Sequence, residues 1–109
     1  MFHLISGDSN EQELALTLAE NLTQDETIEM DDVTVLAQGE GIDPVTAGGD
    51  HSDHVETLID DGVTFKACAN TLDMFDIEEA DLVSGVETVS SGVGELTRLQ
   101  NDGYAYIHP

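Results

Sequence analysis

The sequence runs to 109 residues, enough for one compact domain with a single core and no disulfide or metal staples. Twenty-four Asp and Glu against two Lys and Arg give a formal net charge of −22, spread along the chain rather than gathered in a tail. Such a surface repels phosphates, which excludes nucleic acid and anionic membranes as partners, and it suits a salt-rich cytoplasm where roughly 1 M salt shortens the Debye length to about 3 Å. No run approaches the ~18 apolar residues of a membrane span, and the start reads as a strand rather than a leader, so a cytoplasmic location is expected. Apolar residues recur in short runs between turn signals, which argues for folding over charge-driven disorder.

"FHLIS" (2–6) reads as the first strand, and Ser9 with Gln12 fits a capping box before a helix striped by Leu14, Leu18 and Leu22. Leu16 falls off that stripe and is expected to face a neighbouring subunit. "VTVLAQG" (33–39) is the second strand candidate. The Gly- and Pro-punctuated segment 40–50 that follows reads as a loop and a candidate lid. Val55, Leu58 and Ile59 give a second helix that Gly62 closes. "VTFKA" (63–67) is strand three, "NTLDMF" starts a helix, "VETV" (86–89) is strand four, and Val93, Leu96 and Leu99 stripe a last helix before "YAYI" (104–107) closes the chain. Strands alternating with helices predict one α/β domain over 1–109, with a mostly parallel sheet covered by helices on both faces.

Ligands of open α/β sheets sit beyond the carboxyl ends of the strands, here Ser6-Gly7, Gln38-Gly39, Cys68 and Ser90-Ser91-Gly92. Cys68 is the only cysteine and cannot close an internal disulfide. Lys66, one of only two bases, lies two residues earlier on the same strand face, where its stem spans the ~6.6 Å to the thiol and would favour the thiolate, as would a helix N-terminus at 69–71. The bland reading weighs equally: Cys68 as a buried small hydrophobe, Lys66 paired with a carboxylate. His51 and His54, at helical i, i+3 spacing beside Asp50 and Asp53, are a weak metal signal without a third ligand. The Ser91-Gly92-Val93-Gly94 turn offers amides to an anion but lacks a Walker lysine. Ser90, Ser91 and the four histidines make no hydrolase elbow, since no G-x-S-x-G is present. The residues call for no metal and no other cofactor.

The segments Cys68-Ala69-Asn70-Thr71-Leu72, Ser91-Gly92-Val93 with Glu95-Leu96, and Gly103-Tyr104 to Pro109 resemble the DsrE/DsrF-like family, which shares its fold with YchN-like proteins. The match is dense over 62–109 and loose before it. With the charge balance it suggests a halophilic archaeal source. The resemblance implies a five-stranded sheet, homotrimers or pairs of trimers, and a cysteine that carries sulfur as a persulfide, here Cys68. One departure stands out: many members carry a His near the end of strand two, where this chain has Gln38.

The reading favoured is a sulfurtransferase-like relay protein in which Cys68 takes sulfane sulfur from a donor protein and passes it to an acceptor. Lys66 tunes the thiolate in that reading, and Asn70, Thr71, Gln38, Ser91 and Gly92 line the place of the terminal sulfur. The alternatives are a small-metabolite binding module closed by the 39–50 loop, with Cys68 as pocket wall, and a structural oligomer subunit.

Overall fold

A computed structural model describes residues 1–29 and 32–109. Strands β1 (Phe2–Leu4), β2 (Thr34–Ala37), β3 (Thr64–Cys68) and β4 (Glu87–Val89) pair in parallel in the order β1-β2-β3-β4. Leu36 lies opposite both His3 and Lys66, and Cys68 lies opposite Val89. Because side chains alternate along a strand, Val35, Ala37, Phe65 and Ala67 share one face while Leu36, Lys66 and Cys68 share the other.

The first face carries the main core. Its strand residues pack with Ala15, Leu16 and Ala19 of α1 (Ser9–Thr23), Val55 and Leu58 of α2 (Ser52–Asp60), and Leu72 of α3 (Ala69–Met74). On the second face, Leu96 and Leu99 of α4 (Gly92–Asn101) pack with Leu36 and Met1. Helices therefore cover both faces, as the strand and helix alternation predicts. No helix among the described residues is long and apolar enough to cross a membrane.

Among the described residues the sheet has four strands, not the five that the resemblance implies. Residues 104–107 lie along β1, but only Ile107 bridges, to Phe2, with Ile107 N donating to Met1 O at 2.8 Å and His3 N to Ile107 O at 2.9 Å. The next donor in such a ladder is Pro109, which has no N–H.

Two of the three apolar stripes read from the sequence are displaced in part, although Leu18 and Leu22 still pack against the core and Leu96 and Leu99 are buried. In α1 the buried face is Gln12, Ala15, Leu16 and Ala19, whereas Leu14 is 51% exposed; Leu16 belongs to the chain's own core rather than to a neighbour. Small Ala15 and Ala19 let the helix approach the sheet closely. The cap is also one residue earlier, because Asp8 accepts from Glu11 N at 2.9 Å. Gln12, instead of closing a capping box, donates to Ser6 O and Glu40 O, tying together the loops after β1 and β2. In α4 the buried face is Gly92, Glu95, Leu96 and Leu99, and Val93 is 64% exposed.

The segment expected as a lid is built into the body. Residues Gly39–Val45 form a 3-10 helix that buries Ile42, Pro44 and Val45. Val83 N then donates to Val45 O and Ala47 N to Asp81 O, both at 2.8 Å. Gly41 is obligatory for this closeness, since a Cβ there would overlap the Leu4 carbonyl.

Candidate functional site

β3 extends through Cys68, which directly precedes α3, so the thiol stands at the carboxyl end of a central strand. The loop after β4 turns at Ser91, whose hydroxyl accepts from Gly94 N at 3.2 Å and caps α4. This cap aims the first amides of α4 back at β3, and Gly92 N donates to Cys68 Sγ at 3.3 Å. From α3, the N–H groups of Asn70 and Thr71 and the Thr71 hydroxyl face the sulfur and favour its anion, while Gly92 N–H makes the direct hydrogen bond to it. Thr71 Oγ1 accepts from Gly39 N at 3.0 Å, which joins the loop after β2 to the same point.

Cys68 is 5% exposed. Burial, the largest single influence on its thiol, pushes the pKa up, but the donors of Thr71, Gly92 and Asn70 outweigh it and hold the thiol below its ordinary value. The anionic form is thus favoured by hydrogen-bond donors at the end of the strand.

Lys66 is not among the groups that bond the thiol. Although it shares the strand face with Cys68, its Nζ lies 2.5 Å from Glu95 Oε2, and Arg98 Nη1 bonds the other oxygen of the same carboxylate. Glu95 is 3% exposed, so the lysine neutralises a buried acid reached from β3; of the two partners the sequence left open for Lys66, the carboxylate is the one it bonds, and that carboxylate is buried rather than on the surface. Both of the chain's bases converge on one carboxylate.

Gln38 also belongs to the site. Its Oε1 is buried without a partner among the described residues and lies against Gly92, at a place that a Cβ on Gly92 would fill. The same side chain reaches His3 on β1, a buried histidine that sequence reasoning passed over. His3 Nδ1 is 2.6 Å from the Tyr106 hydroxyl, and His3 also faces His108 edge-on. Gln38, at the end of strand two, is thus backed by His3 from the neighbouring strand.

The other histidines serve elsewhere. His51 and His54 turn their Nδ1 atoms to the two oxygens of Glu13, each at 3.0 Å, and His54 Nε2 meets Glu20 at 3.1 Å, so they join α2 to α1.

A model of the DsrE/DsrF-like family matches residues 1–109. Among solved structures, the chain is similar to MTH1491, a protein of unknown function from Methanobacterium thermoautotrophicum, at 35% identity and a TM-score of 0.92 over 99% of this chain and 96% of that one. It is also similar in fold to BT1422, a conserved protein of unknown function from Bacteroides thetaiotaomicron, at 14% identity and a TM-score of 0.79 over 99% of this chain and 91% of that one. No curated protein matches.

Proposed function

The chain belongs to the DsrE/DsrF-like family, and on that premise we propose that it is a sulfur-relay protein carrying sulfane sulfur on Cys68. The observation that carries this reading is the thiol itself: the only cysteine, at a strand carboxyl end, with amide and hydroxyl donors that favour its anion. In loading, the Cys68 thiolate attacks the outer sulfur of a donor persulfide, the S–S bond of the donor breaks, and the donor leaves as a thiolate. In unloading, an acceptor thiolate attacks the outer sulfur on Cys68 and the Cys68 thiolate leaves. Each step exchanges one S–S bond for another, with no net oxidation.

Thr71 and Gly92 hold the sulfur that stays, and the exposed Asn70 and the turn at Ser91 flank the path of the sulfur that moves. The proposal includes assembly into trimers or pairs of trimers in a salt-rich cytoplasm, with separate donor and acceptor proteins. Exposed Leu14, Met74 and Val93 supply apolar surface for such contacts.

A second reading, a small-metabolite binding module with Cys68 as part of its wall, draws on the burial of the thiol and the unpartnered Gln38 oxygen. The test is intact mass after exposure of the native protein to a small-molecule polysulfide. The relay reading expects one added sulfur atom, removed by dithiothreitol and absent from Cys68→Ser. An unchanged mass together with alkylation of Cys68 only after unfolding would replace it with the binding reading.

A further inference from the structure

With the reactive thiol of the preceding reading as its basis, we propose that Glu95 is a positioning residue: clamped by Lys66 and Arg98, it fixes α4 so that Gly92 N–H meets Cys68 Sγ. Gly92 N makes the direct hydrogen bond to the sulfur, whereas Asn70 and Thr71, which also favour the anion, come with the chain that leaves β3. The Gly92 amide alone comes from a separate element, so its aim depends on how α4 docks.

The docking has two matched tie points. Along β3, Lys66 and Cys68 are two residues apart, roughly 6.6 Å in an extended strand. Along α4, Gly92 and Glu95 are three apart, about 4.5 Å of helix and nearly one turn. Gly92 bonds Cys68 at 3.3 Å, and Glu95 bonds Lys66 at 2.5 Å, so the helix lies against the strand like two rails joined by two rungs. If the Lys66 rung is lost, the buried carboxylate keeps only Arg98, whose side chain is 65% exposed. The helix then turns Glu95 toward water and carries the Gly92 amide off the sulfur.

Stability does not account for this arrangement, because an apolar residue in place of a buried ion pair is often neutral or better. A protein with 24 acids and two bases has nevertheless set both bases on one carboxylate beside its only thiol. Direction and precision of the Gly92 amide are what the clamp adds.

The experiment is the pH profile of Cys68 alkylation by iodoacetamide in molar KCl, read as the pH midpoint so that altered access, which changes only the plateau, does not enter. Lys66→Met is expected to raise the midpoint and lower the thiolate fraction at neutral pH by three- to tenfold, tenfold being about one pKa unit. Lys66→Arg restores the wild-type midpoint. Glu95→Gln also raises it. Were Lys66 acting on the thiolate through its own charge, Glu95→Gln would release that charge and lower the midpoint instead. An unchanged midpoint in Lys66→Met, or a lowered one in Glu95→Gln, overturns the proposal. Should Glu95→Gln fail to fold by circular dichroism, Glu95→Asp decides, since it keeps the charges of Lys66 and its partner but shortens the reach: the clamp predicts a raised midpoint, and direct action of the lysine charge predicts an unchanged one. These midpoints are independent of sulfur loading, so a wild type that gains no sulfur sinks the relay reading alone.

Discussion

Gln38 Oε1 occupies the place that any side chain on Gly92 would need, a place that also lies 3.5 Å from Cys68 Cβ. The glycine is therefore required by a neighbour rather than by its own backbone. Gly92→Ala is expected to push the Gln38 amide aside and weaken the Gly92 to Cys68 contact. In a Gln38→Ala background the same change should cost less, with a coupling of about 0.5–3 kcal/mol, as for residues in direct contact. A double-mutant cycle by urea denaturation in high salt measures it, and additive effects would disconnect the two residues.

Helix α1 supplies a test of which face is buried. Leu16 is fully buried and Leu14 is 51% exposed. Leu16→Ala should cost about 2–5 kcal/mol, and Leu14→Ala should change monomer stability by no more than about 0.5 kcal/mol. The reverse ranking by chemical denaturation would restore the leucine stripe read from the sequence.

That difference shows where sequence information runs out. Strand and helix alternation was legible because apolar runs such as "VTVLAQG" end in turn residues, and Cys68 was placed at a strand end because "VTFKA" gives way there to the helical "NTLDMF". The phase of α1 was not legible, because three leucines at spacing four outweigh Ala15 and Ala19 on any hydropathy count, while the sheet selects the small residues it can approach. Glu95 was hidden among 24 acids, and its partner Lys66 lies 29 residues away. Its spacing with Gly92, Leu96 and Leu99, and with Arg98 one turn on, was the signal available. "YAYI" looks like a strand by composition, yet a ladder needs a donor that Pro109 lacks.

His3 makes stability depend on pH. Burial lowers its pKa from 6.5, opposed by the neighbouring Gln38 side chain and reinforced by the charge of His108. With the folded value below the unfolded one, the unfolded chain takes up more protons on acidification, so stability is full above pH 6.5 and falls as the pH drops toward the folded value. His3→Gln should flatten the fall in melting temperature below that pH. An equally steep fall in the variant would assign it to other groups.

Salt should govern folding as a whole. Self-repulsion from a net charge of −22 is screened in molar KCl and not in dilute buffer. Dialysis to low salt is expected to unfold the protein cooperatively and reversibly by far-UV circular dichroism. A melting temperature indifferent to salt would contradict the salt-rich setting.

The central claim is that Cys68 passes sulfur on, and a single turnover tests it most directly. Protein loaded with one sulfur atom, freed of donor, is mixed with a small acceptor thiol, and both partners are followed by mass. The account predicts that the protein returns to its unmodified mass as the acceptor gains the sulfur as a persulfide, with Cys68→Ser giving no transfer. A loaded protein that keeps its sulfur while folded and releases it only on unfolding would contradict the account.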